Sequence, residues 1–318
     1  MNGLHVIADV GGTNTRIAVA REGEPHEVRI YPTADISSFE TTLEDYLGHL
    51  KSPPKLERLC VAAAGPVGGD KGARRINWTD MSWTIAEADL AAAFGIDAID
   101  LMNDFAAQAL SLPHLADNEL KRLGAGGEAA RSGTMAVLGP GTGLGVAGLV
   151  KGGHGRFIPI VGEGGHADLA PSRDEEIVLL KILAEQYGHV SAERVLSGPG
   201  LVALYTALLG LRGEDYADPE AAAVTDAARS GSEIALDALY LFSGWLGAVA
   251  GDVALTFGAT GGVYIAGGVV PALGPLFDEK AFRTRFEAKG RFDFYNAAIP
   301  TWLVTRENPA LLGLARNR

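Results

Sequence analysis

At 318 residues, 47% of them apolar and 21% charged, the chain is long enough for about two domains, and its composition excludes general disorder. With 27 basic and 39 acidic residues the net charge is −12, which argues against a nucleic-acid-binding face; an anionic ligand would be held by backbone N–H groups and a metal ion. Cys60, the single cysteine, excludes an internal disulfide and a cysteine-rich zinc site and fits a reducing compartment.

In chain order, the N-terminus has no basic segment ahead of a long apolar run and reads as no signal peptide. Apolar runs predict strands at Leu4–Val10 and Thr15–Ala20, joined by Gly11-Gly12-Thr13-Asn14, and a third strand at Glu27–Tyr31. Ser37-Ser38-Phe39-Glu40 has capping-box spacing and opens a helix through about His49. A strand at Leu59–Ala63 follows the Pro53-Pro54 break. A second capping box, Thr84 to Glu87, starts a helix that Gly95 ends. Ala98–Met102 is a strand, and Asn103 caps a helix running toward Leu112.

A second block begins near Ser132. Strands are predicted at Met135–Leu138, Val146–Val150, Phe157–Val161 and Val263–Ala266, with a last one after Pro300. Helices are predicted at Asp174–Tyr187 (capped by Ser172), Gly200–Leu209, Pro219–Arg229 and Glu233–Thr256. The uncharged stretches Ser132–Val150 and Val253–Phe277 are broken by glycine and proline pairs, so they read as buried strands and turns and not as membrane spans. A faint repeat aligns Gly12–Ala18 with Gly141–Ala147: a Gly-Thr turn between the first two strands of each block.

Five segments could carry chemistry. Asp9 to Arg16 places a carboxylate at a strand end, followed by a Gly-Gly-Thr turn whose N–H groups can hold phosphate oxygens; the other reading is a structural hairpin. Asp9 could hold Mg²⁺ through water. Gly139–Gly145 lacks both the P-loop lysine and the helix of a dinucleotide fold, so it reads as a second phosphate turn. At Asn103-Asp104-Phe105 a helix cap and a general base are both open, and one residue can do both. Gly162–Asp168, with Glu163 and His166 drawn together by two glycines, suits the reading of vicinal hydroxyls or is a solvated loop. Gly267-Gly268 ends a strand where a flat base could lie, or makes a tight turn. Glu193 alone is ambiguous.

Together these motifs resemble the bacterial glucokinase family of the enterobacterial type: Asp-Val-Gly-Gly-Thr-Asn at 9–14, Asn-Asp-Phe at 103–105, Gly-Thr-Gly-Leu-Gly-Val-Ala at 141–147, Gly-Glu-Gly-Gly-His at 162–166, the Ser-Ala-Glu segment at 191–200, Ile-Ala-Gly-Gly at 265–268 and Asn308–Gly313. The resemblance spans nearly the whole chain. It implies an α/β fold of two actin-like, ribonuclease H-like domains flanking a deep cleft. The small domain would be residues 1–112 plus the C-terminal 303–318, and the large domain residues 113–302. It implies ATP-dependent phosphorylation of the glucose 6-hydroxyl with Mg²⁺, in the cytoplasm, by a homodimer with no nucleic-acid or membrane partner and no zinc. Asp104 would be the catalytic base. Asn103, Glu163, His166, Glu193 and Asn77 would contact the sugar. Asp9, Gly11, Gly12, Thr13, Asn14, Gly141, Thr142 and Gly143 would serve the phosphates and the metal, and Gly267 and Gly268 would border adenosine. The zinc motif of the related ROK branch is absent, since Cys60 lies far upstream of it. Alternatives are a kinase for another hexose on the same fold, a polyphosphate-using kinase, a non-catalytic sugar sensor, and a sugar-responsive regulator. The last has no room for a helix-turn-helix ahead of Asp9.

Overall fold

Val6, Ala8 and Val10 on one face of the first strand and Ile7 on the other are all fully buried. That is why β1 (Leu4–Val10) is an almost unbroken apolar run: it is covered on both sides. The computed structural model describes residues 3–51, 53–76, 83–130, 132–214 and 220–317. They divide into two units, one of residues 1–116, 157–161 and 306–318, the other of residues 117–156 and 162–305.

In the first unit β1 is followed by β2 (Asn14–Arg21), β3 (Glu24–Pro32), α1 (Phe39–His49), β4 (Leu56–Ala63), a small sheet of β5 (Val67–Gly68), β6 (Arg75–Ile76) and β7 (Ile85–Ala86), then α2 (Glu87–Phe94), β8 (Ala98–Asn103) and α3 (Asp104–Ser111). The main sheet has the order β3-β2-β1-β4-β8, with β1 antiparallel to β2 and parallel to β4. On one face Val6, Ala8 and Val10 pack with Phe39, Leu43 and Tyr46 of α1 and Leu90 of α2. On the other, Ile7, Ala18, Cys60 and Ala62 meet Ala107 of α3 and Leu311 and Leu314 of the C-terminal helix.

Two helix starts differ from expectation. Ser38, not Ser37, caps α1, accepting from the Thr41 amide. Thr84 caps nothing, because the chain enters α2 as strand β7, and the Glu87 carboxylate accepts instead from the amides of Gly72 (2.7 Å) and Arg74 (3.1 Å). Gly95 ends α2 in the left-handed region, as its position predicts.

His5 lies opposite Arg58 in the sheet register, and its buried Nε2 has no hydrogen-bond partner among the described residues. Burial first, then the Arg58 guanidinium, lowers its pKa to about 4, against a smaller opposing pull from Asp100. The unfolded chain therefore binds a proton below about 6.5 that the folded chain refuses until about 4, and stability falls as pH drops through that window. We expect His5→Leu to flatten this acid limb, removing up to about 1.4 kcal/mol per pH unit of slope. Urea titrations of parent and variant at pH 7, 6, 5 and 4 measure it; parallel curves would contradict it.

The second unit contains β9 (Leu120–Arg122), β10 (Met135–Pro140), β11 (Leu144–Lys151), α4 (Asp174–Tyr187), α5 (Gly198–Arg212), α6 (Ala221–Arg229), α7 (Glu233–Phe257), β13 (Val263–Ile265), α8 (Val269–Leu273), α9 (Glu279–Glu287), α10 (Asp293–Ala298) and β14 (Thr301–Val304); β12 (Phe157–Gly162) has only its last residue in this unit. Five of its strands lie in the order β11-β10-β13-β14-β9. β10 is antiparallel to β11 and parallel to β13, so β11-β10-β13-β14 repeats the pattern of β2-β1-β4-β8. The faint repeat in the sequence is thus a repeat of topology.

Ser132–Val150 folds as β10, a turn and β11, as expected. Val253–Phe277 holds the end of α7 and strand β13, both as predicted, and departs from the strand-and-turn reading in the short α8. α7 is long and apolar enough to cross a membrane, but 72% of its most apolar window is buried inside the protein, with Phe242, Trp245 and Leu246 fully covered, so it serves as a core helix. At α4 the cap position is held by Arg173, while the Ser172 amide bonds to Glu176.

α11 (Pro309–Arg316) belongs to the first unit and packs on α3. A Cβ at Gly313 would lie 1.8 Å from the Ala107 carbonyl oxygen, so only glycine permits this approach. We expect Gly313→Ala to destabilise the first unit by roughly 1–3 kcal/mol, as overpacking does. Gly48→Ala on α1, where a Cβ would meet nothing within 4 Å, is the neutral control. A urea midpoint for Gly313→Ala equal to the control would contradict the account.

Candidate active site

In the first unit the candidate residues collect at the ends of β1 and β8. β1 ends in Asp9 and Val10, and a tight turn leads into β2, closed by the Gly11 amide on the Asn14 carbonyl (3.1 Å). Thr33 braces the turn from behind: its Oγ donates to the Gly11 carbonyl (2.8 Å) and its amide to the Thr13 carbonyl (2.9 Å). Gly12 and Thr13 are exposed, and among the described residues no backbone carbonyl accepts from their amides. With the Gly11 and Thr13 carbonyls held by Thr33 and the Gly12 and Thr13 amides given no backbone acceptor, the turn has the donors an anion requires. Thr33 was not legible as part of this site, because its partners lie some 20 residues earlier.

Asn103 is both the last residue of β8 and the cap of α3. Its Oδ1 accepts from the amides of Phe105 (2.9 Å) and Ala106 (3.3 Å), and its Nδ2 donates to the Gly65 carbonyl (3.3 Å). Asp104 opens α3, and its Oδ1 accepts from the Phe105 amide (2.9 Å). Asp9 feels Asp104: burial, and secondarily the Asp104 charge, push the Asp9 carboxyl up to about 7, against the pull of the Arg16 guanidinium at 3.6 Å. Two acidic groups in mutual electrostatic reach beside an anion-presenting turn leave excess negative charge that a cation would relieve.

In the second unit the turn Gly141–Gly143 joins β10 and β11. The Gly141 amide donates to the Gly143 carbonyl, and the Gly198 amide to the Gly141 carbonyl, both at 2.8 Å. Thr142 is exposed, and among the described residues no backbone carbonyl accepts from its amide or that of Gly143. The Gly267 and Gly268 readings separate. Gly267 has φ +79°, and a Cβ there would lie 2.4 Å from the Pro140 carbonyl oxygen, so it makes the tight turn. Gly268 faces open space within 4 Å and is the position that leaves room for a flat group.

Glu163 and His166 are exposed at the two ends of a 3₁₀ turn, Gly164–His166, closed by the His166 amide on the Glu163 carbonyl (3.0 Å). Gly165 is indispensable, since a Cβ there would lie 2.0 Å from the Leu144 carbonyl oxygen. Glu193 sits in a second 3₁₀ turn, Ala192–Arg194, with Oε2 accepting from the Leu144 amide (2.8 Å) and Oε1 3.8 Å from His166 Nδ1. The fold therefore gathers His166, Glu193 and the Gly141–Gly143 turn in one place. Asp168 instead turns to an exposed pair with His189 (2.7 Å). Asn77 lies outside the described residues. Among the described residues no group of three or more His, Cys, Asp or Glu side chains is arranged to hold a metal ion.

A family model described as Glucokinase matches residues 6–317. A glucokinase of Nitrobacter hamburgensis is 42% identical over 99% of this chain and 97% of its own length. A protein of Burkholderia thailandensis named bifunctional protein glk is 41% identical over 99% of this chain, which spans about half (48%) of that relative's length. The crystal structure of a glucokinase from an Antarctic psychrotroph superposes with a TM-score of 0.87 at 34% identity, covering 99% of this chain and 98% of that one. The expected α/β fold of the actin and hexokinase type agrees with that superposition.

Proposed function

From the premise that the chain belongs to the glucokinase family, we propose that it transfers the γ-phosphoryl group of ATP to the 6-hydroxyl of glucose, giving glucose 6-phosphate and ADP. The observation that carries the reading furthest is the strand register: Asp9 of β1 lies beside Ala62 of β4, and Ala62 beside Met102 of β8, so the phosphate-type turn after β1 and Asp104, first residue of α3, leave the same end of the sheet. A base and a phosphate-type turn thereby belong to one sheet end.

In this reading Asp104 accepts the 6-hydroxyl proton as that oxygen attacks the γ-phosphorus. The new O–P bond forms while the bond to the β–γ bridging oxygen breaks, and ADP leaves with that electron pair. Asn103, with its Oδ1 committed to the helix cap and one Nδ2 hydrogen to the Gly65 carbonyl, offers its second Nδ2 hydrogen to a sugar hydroxyl. Glu163, His166 and Glu193 accept from and donate to the other hydroxyls, and Asn77 is proposed alongside them. The amides of Gly12, Thr13, Thr142 and Gly143 hold phosphate oxygens, and Gly268 borders the base. The raised Asp9 carboxyl fits a hard cation held through water, since Mg²⁺ keeps most of its waters and uses one or two carboxylates. Asp9 would hold it, and when bound it supplies charge neutralisation for the phosphates. A homodimer and a cytoplasmic location accompany the reading; buried, unpaired Cys60 suits a reducing compartment.

A coupled assay of the purified protein with Mg-ATP against glucose, mannose, fructose and N-acetylglucosamine tests it. Turnover with glucose well above the others is the expected result. Preference for another sugar would make this a different hexose kinase, and glucose binding without ADP formation would make it a sensor.

A further inference from the structure

We propose that Glu193 is a positioning residue for the phosphate turn as well as a sugar contact, and so couples nucleotide binding to sugar binding within the second unit. The inference rests on the substrate assignment above. The geometry makes the carboxylate a bridge. Oε2 holds the Leu144 amide, the first N–H after the Gly141–Gly143 turn, at 2.8 Å. Oε1 faces His166 Nδ1 at 3.8 Å.

The contact with the turn is close. A Cβ on Gly143 would lie 2.4 Å from Glu193 Oε2, so the turn and the carboxylate cannot both keep their places if that glycine gains a side chain. The surrounding backbone is locked to the same point. Gly165, next to His166, presses against the Leu144 carbonyl. The Ala192 amide, next to Glu193, donates to the Ala167 carbonyl (2.8 Å). The Gly198 amide holds the Gly141 carbonyl from the start of α5. Leu144 is thus gripped at its amide by Glu193 and crowded at its carbonyl by the histidine loop. A sugar hydroxyl that draws on Glu193 or His166 acts on the same carboxylate that shapes the turn. Linkage requires the effect to be reciprocal: a change in the turn must alter sugar affinity by way of Glu193.

The test measures dissociation constants calorimetrically for Mg-ADP without sugar and for glucose without nucleotide, on the full chain. Thermal melts confirm that each variant is folded. Glu193→Ala should weaken Mg-ADP about fivefold or more, the effect of losing one hydrogen bond to a charged acceptor. Glu193→Gln keeps a carbonyl oxygen for the Leu144 amide and should bring Mg-ADP back to within about twofold of the parent. Its glucose affinity should stay reduced, because the charge facing His166 is gone. Gly143→Ala should weaken glucose about threefold or more with no nucleotide present, by pushing the carboxylate aside. If Glu193→Ala does not fold, Glu193→Gln and Gly143→Ala decide the matter. Unchanged Mg-ADP affinity in Glu193→Ala, equal losses in the Ala and Gln variants, or unchanged glucose affinity in Gly143→Ala would each overturn the proposal. A parent protein that binds Mg-ADP but does not phosphorylate glucose would instead sink the activity reading, and the Mg-ADP comparison would still decide the role of Glu193.

Discussion

Asp104→Asn is expected to lower turnover with glucose and Mg-ATP by at least ~10²-fold while leaving glucose affinity within a few-fold of the parent. Asn is nearly isosteric, and its Oδ1 can still accept from the Phe105 amide as the aspartate does at 2.9 Å, so the start of α3 should survive. What it cannot do is take a proton. The adjacent cap is independent of the change, because Asn103 supplies its own Oδ1 to the Phe105 and Ala106 amides. The variant also removes a negative charge that pushes the Asp9 carboxyl up, so the turn beside it should be no less receptive to phosphate. Loss of kcat with retained glucose binding, read by steady-state kinetics and calorimetry, supports the base. Near-normal kcat would remove Asp104 from the chemistry, and equal loss of binding and turnover would make it a sugar contact alone.

Arg285→Ala should be strongly destabilising to the second unit, costing about 3–5 kcal/mol as breaking a buried ion pair does. Glu176 of α4 is 1% exposed, and Arg285 of α9 pairs with it through both terminal guanidinium nitrogens, Nη1 and Nη2. Truncating the arginine leaves a buried carboxylate whose remaining partners are the Ser172 amide and hydroxyl. The double variant Glu176→Leu with Arg285→Met removes both charges and should recover part of the loss, the Ser172 amide being the one group left short. Urea unfolding of the two variants checks this. A single variant within about 1 kcal/mol of the parent would show that the pair carries little of the unit's stability.

The same residues show how far the sequence could be read. Strands β1, β4 and β10 are covered on both faces, so they stand out as short apolar runs between glycine and proline breaks. The cap of α3 was equally plain, since Asn103 bonds to amides two and three residues on. α9 was not legible: its Arg283 and Arg285 look like solvated residues, yet both are buried. Arg283 is satisfied by the carbonyls of Ile299, Asn296 and Ala297, partners that only the tertiary fold brings near. α7, predicted over Glu233–Thr256, ends one residue later at Phe257, because Ser232 caps its start and Gly258 stops it in the left-handed region. Thr84 failed as a cap because Glu87 finds better partners in Gly72 and Arg74, 15 and 13 residues away. In the candidate site the glycine turns and the Asn-Asp pair were visible as local motifs. The bond from the Leu144 amide to Glu193 spans 49 residues, and no local pattern announces it.

The most direct measurement is the identity of the product. The protein, Mg-ATP and glucose labelled with ¹³C at C6 would be followed by ¹³C and ³¹P NMR. The account predicts stoichiometric ADP and a C6 resonance split by coupling to phosphorus, with none of the signal appearing in the presence of ATP and sugar alone. Phosphorus at another carbon, or no ADP formed while glucose binds, would contradict it.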